Sequence, residues 1–130
     1  MFQKKFKKMS KTFGTKIREY ILTREESIVK VLEDKKAENV QVIDLRKDDY
    51  IVDFVVIATT LNAKHGFALL NHLKDELKPM GEQFLRVDET EDWTIVDLGD
   101  AFIHLMSETS RKKYSLEEFL SDLKKSNKEG

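Results

Sequence analysis

The sequence predicts an α/β domain built on a mixed five-stranded sheet with flanking helices. Three observations predict it. Residues 23–26 and 115–118 both carry the Ser/Thr-x-x-Glu pattern that opens a helix. Between them the apolar spacing alternates between the helical steps of three and four and the strand step of two. Residues 51–58 (IVDFVVIA) form a nearly continuous β-branched run, the pattern of a strand covered on both faces.

The elements follow in order. In Thr23-Arg24-Glu25-Glu26, Thr23 accepts from the third helical N–H and Glu26 reaches back, which predicts a helix start. Ile28, Val31 and Leu32 supply its apolar stripe to about residue 37. At residues 40–45 the period changes to two: Val40, Val42 and Asp44 face one way, Gln41, Ile43 and Leu45 the other, which is a strand. Residues 46–50 are a charged connection to the second strand at 51–58, where Asp53 is the one polar interruption. Asn62 caps the next helix, whose apolar positions are Phe67, Leu70, Leu73 and Leu77. Pro79 and Gly81 stop it. A strand–helix–strand step of this length predicts a right-handed parallel crossover to a third strand at 83–87. An acidic turn at 88–92 leads into a strand at 93–98, and Gly99-Asp100 turns the chain into the strand 101–106, making a hairpin. Ser115-Leu116-Glu117-Glu118 is a second capping box, with Tyr114 and Phe119 at the positions of a hydrophobic staple. Its helix is expected to end near Leu123, before a solvated tail at 124–130.

Composition limits the chemistry. A chain of 130 residues fits one domain with a core large enough to fold unaided. Without Cys there is no disulfide, no thiol nucleophile and no Cys-ligated zinc or iron–sulfur site. Zero Cys fits a cytoplasmic location. No apolar run approaches the roughly 20 residues that cross a bilayer, so no membrane insertion is expected.

The net charge of -1 hides an asymmetry. Of the 23 Lys and Arg, seven lie in residues 1–18 with no acid, leaving 16 against 24 acids in the rest. A basic arm of +7 thus precedes an acidic body of -8. Phe2, Phe6, Met9, Phe13, Ile17 and Tyr20/Ile21 in the arm recur at helical spacing. Several readings of it stay open: a frayed, solvated extension, a contact with RNA or with a sister subunit, or a targeting or membrane-surface segment. The expected organisation is an extension at 1–22, a domain at 23–123 and the tail.

No catalytic or metal-binding constellation emerges. His65 and His72 share a helix face but stand about 10 Å apart along it, too far for one metal. His104 lies alone in a strand, across the hairpin from Ile95 or Val96, and reads as structural. Glu89 and Glu91 sit in a charged loop with no strand to fix them. Asp97 and Asp100 bracket a turn, where Asp is an ordinary turn former. No Gly-rich phosphate loop or nucleophile elbow is present. No cofactor is expected. What remains is recognition: Trp93 opens a strand at its rim, beside Asp97, Arg111 and Tyr114. It reads either as core or as the anchor of a protein-binding patch.

These residues resemble a known family. Asp53-Phe54-Val55-Val56-Ile57-Ala58-Thr59, followed by His65, resembles the D-Y-F-V-I-A-T-G-x-S-x-x-H stretch of the ribosomal silencing factor family, also called iojap-related. Residues 93–104 (WTIVDLGDAFIH) are similar to its W-x-[VL]-[VL]-D-[YL]-G-D-V-[VI]-[VI]-H segment. Arg111 and Tyr114-Ser115-Leu116-Glu117 are similar to its closing R-x-x-Y-x-L-E. The similarity runs from about Thr23 to Leu123. Thr60 and Asn62 depart from the family's Gly and Ser, and Phe119-Leu120 replaces its L-W.

The resemblance implies a mixed-sheet fold related to nucleotidyltransferases but without their enzymatic use. It further implies binding to ribosomal protein fourteen of the large ribosomal subunit, a block to joining with the small subunit, and slower translation when nutrients are scarce. Homodimers formed through the sheet region are common in the family, and organellar relatives assist large-subunit assembly. The partner-binding residues expected on this basis are Trp93, Asp97, His104, Arg111, Tyr114 and Glu117. The staple on Phe119 is the rival role for Tyr114. The rival functions are an organellar assembly factor, a nucleotidyltransferase-type enzyme, and a nucleic-acid or membrane module run by the arm.

Overall fold

The structure is a computed structural model that describes residues 22–129, with side chains described to Lys124. The expectations for residues 1–21 lie outside the described residues. The elements are α1 (Arg24–Asp34), β1 (Glu38–Asp44), β2 (Phe54–Thr60), α2 (Ala63–Leu77), a 3-10 turn (Lys78–Met80), β3 (Arg86–Glu89), β4 (Trp93–Asp97), β5 (Ala101–Ser107), α3 (Glu108–Tyr114) and α4 (Leu116–Glu129). The strands form one sheet in the order β1-β2-β5-β4-β3. β2 and β5 run parallel, and the other three pairs are antiparallel. The expected α/β fold on a mixed five-stranded sheet is what forms.

The first capping box closes as its sequence predicts: Glu26 N–H donates to Thr23 Oγ1 at 3.1 Å, and Thr23 N–H to Glu26 Oε1 at 3.0 Å. α1 stops at Asp34, short of residue 37, because Lys36 turns to a left-handed φ of 73°. β2 is buried along its whole length, yet begins at Phe54 and not at Ile51, which is exposed. Asp53 therefore lies at the mouth of the strand. Its backbone N–H donates to the Asp100 carbonyl and its carbonyl accepts from Leu45 N–H, at 2.8 and 2.7 Å.

α2 is capped by Asn62, whose Oδ1 accepts from His65 N–H at 2.8 Å. It buries Leu69, Leu70, Leu73 and Leu77 against the sheet, while Phe67, expected on that stripe, is 40% exposed. Gly66 explains the shift. It starts the buried face, packed on Thr60, but has no side chain to count in an apolar period. Leu77 hands over to the 3-10 turn containing Pro79, and Gly81 ends it at φ 102°.

The crossover from β2 leads to a strand of the same direction, but not to a neighbour. β3 lies at the far edge and pairs only with β4, and the parallel partner of β2 is β5. The β4–β5 hairpin fills the intervening places, since a sequence-adjacent hairpin pairs most readily.

The chain after β5 departs most from expectation. A seven-residue helix, α3, follows at once, its N-terminus capped by Ser107 Oγ, which accepts from Ser110 N–H. A helix does open after Ser115, at Leu116, with Phe119 N–H donating to the Ser115 carbonyl at 3.1 Å. The Ser115 hydroxyl, however, bonds back to α3 instead of closing a capping box. Ser115 ends α3 in the left-handed region at φ 47°, and its hydroxyl donates to the Lys112 carbonyl. α4 then runs through Glu129 and does not stop near Leu123.

Two layers of core result. α1 and α2 cover one sheet face, where Ile28, Leu32, Leu69 and Leu73 meet Phe54, Val56, Ile103 and Leu105. On the other face Leu120 of α4 packs with Val55, Ile57, Leu45 and Met106. Among the described residues that second cover is incomplete, and the β4 side of the face is only half-buried.

Candidate functional site

Strand alternation decides what the open face carries. Trp93, Ile95 and Asp97 of β4 point to it, as do Phe102, His104 and Met106 of β5, with Trp93 opposite Met106, Ile95 opposite His104 and Asp97 opposite Phe102. Trp93, Ile95, Asp97 and Phe102 are all half-buried. Trp93 is held at the rim by the acidic turn: Thr90 Oγ1 accepts from Trp93 N–H at 3.1 Å and donates to its carbonyl at 2.7 Å.

Trp93 and His104 are diagonal neighbours across the hairpin, within reach of large rings. The indole Nε1–H donates to His104 Nδ1 at 3.0 Å, with ring centroids 5.8 Å apart. An indole nitrogen only donates, so Nδ1 must accept and the proton sits on Nε2. His104 is only 8% exposed, and burial pushes its pKa down to about 4, so the ring is neutral near pH 7. Phe102 meets the same imidazole edge-on at 6.2 Å. His104 is thus a buried acceptor that orients Trp93, not a free titrating group.

Tyr114, the last residue of α3, lays its ring against the other side of the cluster, 4.9 Å from Trp93. It is half exposed, and Lys113 Nζ lies 5.4 Å from its ring centre. Trp93, His104 and Tyr114 form one contiguous aromatic group, with Ile95 and Phe102 continuing it along the sheet.

Arg111 and Glu117 have a different setting. Arg111 is 6% exposed. Its Nη1 donates to the Asn39 carbonyl at 2.6 Å and to Thr59 Oγ1 at 2.8 Å, and its Nε to Glu117 Oε2 at 3.0 Å. Nη2 lies 2.9 Å from the same carboxylate oxygen, an ion pair whose angle does not make it a hydrogen bond. The pair is a clamp between β1, β2, α3 and α4, its guanidinium buried and its carboxylate half-buried. Asp97 sits at the opposite end of β4, where its Oδ1 accepts from Gly99 N–H at 2.8 Å and shapes the turn. Asp100, the other bracket, pairs with Arg24 at 2.9 Å, and that guanidinium holds its carboxyl below the usual range.

Six residues were expected to act together, and the structure groups them as three, two and one. Ile95 and Phe102 belong to the open face and escaped sequence reasoning, although the period of two in the hairpin placed both beside Trp93. The remaining histidines have no part in it. His65 Nδ1 accepts from Leu61 N–H and its Nε2 bonds the Lys35 carbonyl, so its ring joins α1 to the start of α2. Among the described residues no group of three or more His, Asp or Glu is placed to hold a metal.

Comparison with known proteins follows the same outline. A family model described as "Ribosomal silencing factor during starvation" matches residues 19–130. The chain is similar to the ribosomal silencing factor RsfS of Halalkalibacterium halodurans, with 30% identity over 96 residues that cover 72% of this chain and 82% of the relative. It is also 27% identical to the mouse protein named mitochondrial assembly of ribosomal large subunit protein 1, over 69% of this chain but only 42% of that one. A crystal structure of a Chromobacterium violaceum protein superposes with a TM-score of 0.69 at 26% identity, covering 73% of this chain and 81% of the other.

Proposed function

The chain belongs to the ribosomal silencing factor family, and on that premise we propose that it binds the large ribosomal subunit through that subunit's protein fourteen. Bound there, it sterically blocks joining with the small subunit and represses translation under nutrient limitation. It performs no catalysis. The observation that carries this reading is the half-open aromatic face around Trp93, Tyr114, Ile95 and Phe102. Half-buried aromatic clusters with a polar margin are what protein–protein hot spots are made of.

In this reading Trp93 and Tyr114 supply buried area and His104 fixes the indole. Asp97 contributes negative charge at the margin, while Arg111 and Glu117 pair with each other behind the face and support α3. The acidic body suits a basic ribosomal partner, because complementary charge steers encounter. The same acidity argues against the body gripping RNA, so any ribosomal RNA contact is assigned to the basic arm. A domain that begins at residues 22/23, a cytoplasmic location and a homodimer formed through the sheet belong to the same proposal. Among the described residues no helix is long and apolar enough to cross a membrane.

Co-sedimentation with separated subunits tests binding. The protein should pellet with large subunits and stay in the supernatant with small ones; equal pelleting with both, or with neither, would contradict the assignment. The second reading, large-subunit assembly in an organelle, draws on the name of the mouse relative. It predicts accumulation of immature large subunits on depletion, with joining of mature subunits unaffected.

A further inference from the structure

We propose that Arg111 is a positioning residue. It anchors α3 so that the Tyr114 ring is held against Trp93, and it does so without touching the partner. This rests on the reading of the Trp93 face as the ribosome-binding surface.

The anchor stands where three unusual features converge. Asn39 adopts a left-handed φ of 48°, at the point where the register of β1 against β2 slips between Glu38 and Gln41. Such a bulge re-aims the backbone, and here the Asn39 carbonyl accepts from Arg111 Nη1. Ser115 adopts φ 47°, a region that a Cβ disfavours, and there the chain reverses from α3 into α4. That reversal brings Glu117 back onto Arg111, six residues behind it. The guanidinium itself is buried and joins all of these elements.

A helix of seven residues is too short to hold its place by its own hydrogen bonds, so α3 needs an external anchor. Thr59, Met106 and Trp93 lie in one row across β2, β5 and β4. Arg111 bonds Thr59 at one end of that row. Tyr114, one helical turn later, lies on Trp93 at the other end. α3 therefore spans the row with its polar foot fixed and its aromatic foot on the docking face. Nε and Nη1 are already committed, and Nη2 is enclosed beside Glu117, so Arg111 has no exposed donor to offer a partner.

Trp93 is the only Trp in the chain, so its emission reports this contact alone. In the full-length protein, Arg111→Gln and Tyr114→Ala should produce the same red shift of that emission. Each should weaken co-sedimentation with large subunits about tenfold, the scale of losing one hot-spot side chain. The double variant should bind no worse than Tyr114→Ala, because both changes remove one contact. If Arg111→Gln fails to fold by circular dichroism, Glu117→Gln loosens the same corner and should give a smaller shift in the same direction. Weakened binding with unchanged emission, or losses that multiply in the double variant, would overturn the proposal in favour of direct contact. A shared red shift with full binding by Tyr114→Ala would uphold the positioning role and refute the ribosomal role of this face instead.

Discussion

His104 shows how a side chain that looks like a ligand becomes part of the scaffold. Its burial matters more than its chemistry, because a charged imidazole would lose solvation and leave the indole N–H of Trp93 without an acceptor. The consequence is a pH dependence of stability. The unfolded chain binds a proton at the ordinary pKa of 6.5 and the folded chain only near 4. The contribution is therefore whole above pH 6.5 and is lost as pH falls towards 4, on the order of 2 kcal/mol by about pH 5. Urea titrations at pH 7 and pH 5 should show that loss, and the difference should shrink in His104→Gln. Equal losses in both proteins would contradict the assignment. At Trp93, replacement by Ala should leave the circular dichroism spectrum intact and weaken large-subunit co-sedimentation at least tenfold, as expected of a hot-spot anchor. Unchanged binding would remove Trp93 from the interface.

Elements were legible where one local pattern decided them. The Thr23 capping box, the Asn62 cap and the β4–β5 hairpin are short-range signals, and each formed. Ser115 also precedes a helix as its pattern predicts, but its hydroxyl bonds the Lys112 carbonyl because the preceding residues already form a helix. Ser107 caps α3 locally, but the place of that helix depends on Asn39 and Thr59, 72 and 52 residues away from Arg111. For the same reason Arg111 and Glu117 read as surface charges in the sequence and prove to be a pair with a buried guanidinium and a half-buried carboxylate. The sequence placed Trp93 and His104 on one hairpin, but only the sheet register showed them bonded. Gly99 offers a test of the hairpin that carries them. Its φ of 96° disfavours any Cβ, and a Cβ there would approach Leu85 Cδ1 to 3.1 Å. Gly99→Ala should lower the stability by about 1 kcal/mol or more in urea unfolding. A neutral effect would show that the turn has room to relax.

At the scale of the whole molecule, fold and charge distribution act together. Among the described residues α1 and α2 seal one sheet face, whereas α4 covers only part of the other and leaves a half-buried aromatic strip on an acidic body. The proposed action, occupying a joining surface, needs bulk and a site of attachment; the acidic body would supply the first and the Trp93 face the second. Attachment steered by charge should weaken as salt rises, mainly through slower association. A sedimentation series at increasing salt would register this, and insensitivity to salt would argue that the charge asymmetry has no role in docking. The most direct test of the account is the joining reaction itself. Purified large subunits are titrated with the protein, small subunits are added, and the joined particles are measured by sucrose-gradient sedimentation. Joined particles should decline in step with bound protein, and Trp93→Ala should restore them. Full joining while the protein remains bound to the large subunit would contradict the account.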